Sequence, residues 1–386
     1  MATKLMFSQS FHSIRTLVLT TLLLLLGACS QTELKGELKN SASVTTKDYM
    51  VVVNRPNRVN LIDLTTNQVE RSCQLPGTSA PGTVVMSPDK RIAYVLADHF
   101  SNVYGINLDN CELVFSAIQS YANIRIKSLA SIAISPDGKE IYTHQNPTRL
   151  LSDHFEVMDA QVAVFNTSDG LKAQPVRTYP APRQVTIMVT DKSGTLYLGA
   201  PDIYAMNPAT GETRMVIASR GLQTPLFSQR DSLTMWPIGS VSNEFIRLYT
   251  TAKYKDESQN LETADWMWGY ERIDLNTGEA ESREFGPLEV VLFSGMTRPS
   301  DKNQMYAVLT QLKKFDVAKQ QELMSVDLEH TYYCINFSTD GKKIYLAGTF
   351  HDIAIYDADT LEKLGNIQLE GGDMSLSPTQ IFAREI

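Results

Sequence analysis

The stretch Val84-Val85-Met86-Ser87-Pro88-Asp89-Lys90-Arg91-Ile92-Ala93-Tyr94 reads as strand, tight turn, strand. Its two apolar runs are too short for helices and are separated by a Ser-Pro-Asp-Lys turn, in which the Ser and Asp side chains can bond back to the local backbone. The same phrase returns as Ile132-Ala133-Ile134-Ser135-Pro136-Asp137-Gly138-Lys139-Glu140-Ile141-Tyr142 and as Ile335-Asn336-Phe337-Ser338-Thr339-Asp340-Gly341-Lys342-Lys343-Ile344-Tyr345. A second phrase, a strand ending in Asp or Asn before a Thr-Gly-like turn, follows it. Examples are Ile62-Asp63-Leu64-Thr65, Ile273-Asp274-Leu275-Asn276-Thr277-Gly278 and Tyr356-Asp357-Ala358-Asp359-Thr360.

Together the phrases define a unit of four short strands with no long amphipathic helix. Unit starts near residues 48, 80, 128, 184, 224, 289 and 331 give seven copies of about 48 residues, the signature of a repeat architecture. The expected fold is all-β: a seven-bladed β-propeller of four-stranded blades. A two-sheet sandwich is the alternative, and it leaves a phrase of fixed period unexplained. The first unit, from Asp48, lacks its innermost strand. The segment Met374 to Phe382 follows a complete seventh unit and is expected to supply it, closing the ring and removing two open edges.

The expected domains are a leader over 1–28, a tether over 29–47 and the propeller over 48–386. Lys4 and Arg15 precede the apolar run Leu17 to Leu26, which ends in Leu26-Gly27-Ala28-Cys29. This is the layout of an export signal, and its largely apolar stretch of ten residues falls well short of the roughly twenty that span a bilayer as a helix. Small residues before a cysteine resemble the bacterial lipobox, in which Cys29 is acylated and becomes the new N-terminus. An ordinary secretory signal is the alternative. The expected location is periplasmic and lipid-anchored, with Ser30 in place of Asp favouring the outer membrane.

Lys plus Arg is 35 and Asp plus Glu is 43 over 386 residues, a net charge of −8. Loss of residues 1–28 removes Lys4 and Arg15 and no acid, so −8 becomes −10. With no basic run, nucleic acid is excluded as an expected partner. Of the three remaining cysteines, Cys334 sits in an apolar strand, which leaves Cys73 and Cys111 as the pair available for a disulfide in an oxidising compartment.

Motifs for self-contained chemistry are missing from the chain. There is no Cys-x-x-Cys-His, His-Glu-x-x-His, phosphate loop, dinucleotide fingerprint or Gly-x-Ser-x-Gly. No catalytic residue and no metal ligand is therefore expected in this chain. Asp63, Asp274 and Asp357 recur at equivalent turns, which marks them as structural. Two blades are enlarged between their second and third strands, over 145–160 and 254–268. These inserts carry His154, Phe155, Trp266, Met267 and Trp268 on one face, as anchors for a partner or as cover for the rim.

Several segments resemble the β subunit of quinohemoprotein amine dehydrogenase. They are Asn146-Pro147-Thr148-Arg149-Leu150 with His154-Phe155-Glu156-Val157, Ala181-Pro182-Arg183-Gln184-Val185-Thr186, His330-Thr331-Tyr332-Tyr333, and Tyr356 to Lys363 with Met374-Ser375-Leu376. The likeness extends over about residues 48 to 385. It implies a periplasmic enzyme that oxidises primary amines to aldehydes and ammonia. In such an enzyme a small γ subunit bears a cysteine tryptophylquinone, a dihaem cytochrome c α subunit takes the electrons, and the propeller binds neither group. On this resemblance His154, Phe155, Arg183, Tyr332 and Tyr333 are expected to face the partners and wall the active site. The lipobox is a departure from the family and leaves open a membrane-anchored binding lipoprotein without catalysis. A stand-alone propeller hydrolase, with His154 or His330 as its base, is a third class.

Overall fold

The computed structural model describes residues 45–77, 81–222, 224–232, 238–239, 241–374 and 377–385. The expected leader, Cys29 and most of the tether lie outside these residues. The first strand begins at Thr46.

Blade two shows how the phrase folds. Val84–Met86, Ile92–Ala97, Asn102–Asn107 and Leu113–Ile118 pair antiparallel in chain order from the axis outwards. Seven such sheets form the ring. Inner strands such as Val84–Met86, Ile92–Ala97 and Lys343–Ala347 are nearly wholly buried because both faces of a blade pack on its neighbours, so they lack the polar alternation of a half-exposed sheet. Outermost strands such as Gln68–Gln74 and Gln321–Asp327 are largely exposed.

The turn between the first two strands is built alike in blades two, three and seven. Ser87, Ser135 and Ser338 donate their hydroxyls to Asp89, Asp137 and Asp340 at 2.5, 2.7 and 2.6 Å. Each serine oxygen also accepts the backbone N–H of Ile92, Glu140 or Lys343 at 2.9, 2.9 and 3.0 Å. The fourth turn residue has φ of 61° at Lys90, 73° at Gly138 and 70° at Gly341, the left-handed region where glycine costs least. Between the third and fourth strands, Asp63, Asp274 and Asp357 accept the N–H two residues on at 2.8, 2.7 and 2.8 Å. Their recurrence is turn chemistry.

Ring closure follows the expected route. The C-terminal strand Gln380–Glu385 pairs with Thr46–Asn54, from Thr46 opposite Glu385 to Val51 opposite Gln380, and so becomes the innermost strand of blade one. Ile381 and Phe382 are buried there, Phe382 beside Tyr49. Cys73, on the outermost strand of blade one, is bonded to Cys111 in the outer turn of blade two, with Cα atoms 5.2 Å apart. The same neighbourly contact recurs without a covalent bond where Tyr179 of blade three donates to the Ala209 carbonyl of blade four at 2.8 Å.

Blade five departs from the expected spacing. Its innermost strand is Ile238–Gly239, well after the start near 224. Residues of the preceding link pair instead with the long second strand Glu244–Lys253, Phe227 opposite Lys253 and Asp231 opposite Thr250. A strand extended beyond the blade leaves backbone groups without partners, and the link satisfies them.

Candidate functional site

The first and third turns of a blade open on one face of the ring, blade one having only the third because its innermost strand comes from the C-terminus. The second turn and the link to the next blade open on the other. The first face is the repetitive one. The second, the linker face, holds both enlargements.

In blade three the second strand runs on as Glu140–Leu150 and meets Phe155–Val157 on one side and Ile124–Lys127, from the preceding link, on the other. The result is a three-stranded cap. A buried amide network roots it: Gln145 and Thr143 both donate to the Gln119 carbonyl oxygen at 2.8 Å, and Gln161 donates to Gln145 at 2.8 Å. His144 lies beside them, wholly buried, with Nε2 donating to the Pro182 carbonyl at 2.8 Å. Burial holds its pKa down at about 4, and the nearby Arg183 guanidinium adds to this, while the Pro182 carbonyl opposes it. The ring is therefore neutral at pH 7.

The cap exposes four large apolar side chains among charged ones such as Arg125, Lys127 and Glu156. Tyr121, Leu151, Phe155 and Val157 are 62, 39, 72 and 64% exposed, an unusual grouping on a surface held rigid by pairing and buried hydrogen bonds. His154 is exposed and paired with the equally exposed Asp153 at 2.8 Å. Arg183 is exposed and donates to the Met158 carbonyl at 2.5 Å, tying the next link to the base of the cap.

Tyr332 and Tyr333 lie on the same face but in the link to blade seven, across the ring from blade three. The five expected wall residues thus share a face and do not converge on one point. Tyr332 is set deeper than the other four. It is 1% exposed, its hydroxyl donates to Asp352 at 2.7 Å, and burial pushes its pKa up. It props His330, which stacks on its ring at 4.1 Å and contacts Asp352 at 3.0 Å. Tyr333 is half-buried against Phe293, ring centres 4.6 Å apart.

The blade five enlargement also divides. Trp268 is core, 6% exposed and stacked on Phe285 and Phe315 at 4.5 and 5.1 Å. Trp266, two residues earlier on the same strand and nearer its free end in the enlargement, is 49% exposed. It lines a cleft of ≈ 690 Å³ between blades four and five with Phe227, Tyr254, Leu261, Arg220 and Asp231.

Residues that sequence reasoning passed over sit next to this cleft. Arg247 and Glu271 lie on adjacent strands of blade five, 5 and 0% exposed, bonded at 2.5 Å, with Arg230 reaching Glu271 from the link at 3.3 Å. The available signal was a charge inside each of two apolar strands, Phe245-Ile246-Arg247-Leu248-Tyr249 and Gly269-Tyr270-Glu271-Arg272-Ile273. Opposite charges at interior positions of neighbouring strands read as a buried pair. Among the described residues, no three His, Cys, Asp or Glu side chains gather as a metal ion would require.

No protein-family model matches the chain, and no curated protein does. Solved structures match in fold. A functionally unknown protein from Desulfotomaculum acetoxidans superposes with a TM-score of 0.55 at 9% identity, covering 86% of this chain and 98% of its own. Hydrazine synthase of Kuenenia stuttgartiensis gives 0.52 at 14%, covering 81 and 90%. Dihydro-heme d1 dehydrogenase NirN, in complex with DHE, gives 0.52 at 13%, covering 86 and 74%. At these identities the likeness is one of fold alone.

Proposed function

We propose that the chain is an export-directed, lipid-anchored scaffold that seats a protein partner on its linker face and performs no chemistry alone. One observation carries this: the four exposed apolar side chains of the blade three cap stand on a support held by strand pairing and by the buried hydrogen bonds of Gln119, Thr143 and Gln145, as hot-spot residues of interfaces stand on rigid elements. Cys29 is the acylation site, and its acyl chains hold the protein at the periplasmic side of the outer membrane.

Within that reading, the partners are those of a quinohemoprotein amine dehydrogenase, a γ subunit bearing cysteine tryptophylquinone and a dihaem cytochrome c α subunit. In favour of this, three of the segments that carry the resemblance, 146–157, 181–186 and 330–333, lie on the linker face, whereas residues 356–363 form a turn of the opposite face. The quinone would supply amine oxidation. This chain's part is to wall the site and keep water out with His154, Phe155, Arg183 and Tyr333. The second reading is a lipoprotein that binds without catalysis, favoured by the lipobox.

Affinity purification from detergent-solubilised native membranes tests both. Recovery of a haem-staining and a quinone-staining subunit in fixed ratio, with amine-dependent dye reduction, is the expected result. Recovery without either subunit overturns the dehydrogenase and leaves the binding lipoprotein. Mass spectrometry of the mature N-terminus tests the anchor: an unacylated terminus other than Cys29 removes it.

A further inference from the structure

We propose that a second recess of the linker face, where the links after blades two, three and four meet blade five, is a binding site for a small organic monocarboxylate. The recess measures ≈ 300 Å³ and is lined by Arg220, Arg230 and Arg247. The inference is independent of the partner reading, because every residue it uses belongs to this chain.

The three guanidinium groups are not equivalent. Arg247 is fully engaged: Nε and Nη2 donate to Glu271 at 3.0 and 2.5 Å, Nη1 to the Ala200 carbonyl, and Nη2 also to the Pro201 carbonyl at 3.4 Å. It is a strut. Arg230 is held from one side only. Its Nη1 donates to Ser282 Oγ at 2.5 Å and to Glu271 at 3.3 Å, and its plane lies over the Tyr249 ring at 4.3 Å. Its Nε and Nη2 make no hydrogen bond with a described residue, although the side chain is only 16% exposed. Those two N–H groups form one edge of the guanidinium fork, which matches the two oxygens of a carboxylate in a pair of parallel hydrogen bonds. Stacking on Tyr249 and the contact with Glu271 fix the fork before any ligand arrives.

Charge selects the ligand further. Three arginines face Asp231 and the buried Glu271, an excess of one positive charge in a chain of net charge −8. A single excess charge balances a monoanion and leaves a phosphate dianion under-compensated. Arginine stays protonated throughout the accessible pH range, so the site does not switch off near neutrality. Leu129, 43% exposed, and Pro201 supply apolar wall for a short hydrocarbon body. Arg220, half-exposed and held by Gln229 at 3.3 Å, stands at the rim as the second cation.

The mature chain is titrated, by ligand-observed NMR at millimolar concentration, with propionate, butyrate and benzoate. Each is compared with its primary amide, and sulfate and phosphate form further arms. The expected result is saturable binding of at least one carboxylate, none of its amide, and a loss of at least about tenfold in Arg230→Gln, as for hydrogen bonds to a charged group. Arg230→Lys keeps a cation beside Glu271 and the fold with it, but removes the fork, and should lose binding to the same degree. Absence of saturable binding by all three carboxylates, undiminished binding in Arg230→Lys, or equal binding of sulfate or phosphate would each overturn the proposal.

Discussion

The two faces of the ring are made from the same seven blades and carry opposite kinds of information. On the face of first and third turns, one arrangement repeats: serine to aspartate, backbone N–H to serine, positive φ at the fourth residue. A group that recurs in several blades serves what those blades share, and what they share is the turn. On the linker face each connection is different. One blade raises a paired cap, and another both borders a cleft and holds a buried arginine strut. Singular features on a repetitive frame are where binding is to be sought, because the frame itself does not require them.

The largest effect separates the frame from everything attached to it. Deleting residues 380–386 removes the innermost strand of blade one, uncovers the edge of Thr46–Asn54 and strips Ile381 and Phe382 from the core. The expected cost is on the order of 5 kcal/mol or more. A thermal midpoint unchanged by the deletion would mean that the ring does not depend on that closure.

Next comes the root of the cap. The folded pKa of His144 is about 4, against 6.5 for an unperturbed histidine. Between those values the unfolded chain takes up a proton that the native one refuses. Stability is therefore complete above about pH 6.5, falls as pH is lowered towards 4, and loses at most about 3 kcal/mol from this residue. His144→Gln retains a donor for the Pro182 carbonyl and does not titrate, so its denaturation midpoint should fall less steeply across that window. Parallel pH profiles for the two proteins would show that His144 is not neutral when buried.

Smaller and uniform effects are expected on the repetitive face. Ser87→Ala, Ser135→Ala and Ser338→Ala each remove the same hydrogen bonds and should each cost about 1 kcal/mol in chemical denaturation. One value several times the others would break the equivalence of the turns. The smallest effect on stability is expected at the cap surface. Phe155→Ala should change stability by no more than about 0.5 kcal/mol, while weakening partner retention by about 2 kcal/mol, near thirtyfold. Retention equal to the unaltered protein would remove the cap from the interface.

The repeating half of the molecule was legible from the chain because its causes are local. A Ser-Pro-Asp-Gly turn is decided by four neighbouring residues, and Asp63, Asp274 and Asp357 declare their role by recurring. The candidate sites were legible only in part. Their enlarged segments stood out by length, but Tyr332 and Trp268, which as sequence look like surface aromatics, are buried by neighbouring blades. Arg230, Arg247 and Glu271 lie on three separate segments, and their meeting depends on how the link to blade five packs.

What the chain by itself determined is the number of blades, the turn chemistry and the route of closure, since each follows from short-range preference repeated until the ring is full. Only the tertiary structure decided which linker-face side chains are exposed, that His154, Phe155 and Arg183 gather at one side of the ring and Tyr332 and Tyr333 at another, and that one arginine fork has no partner among the described residues. Those outcomes depend on contacts between segments far apart in sequence. A contact of that kind has an energy only once the intervening chain has been ordered, and no local pattern records it.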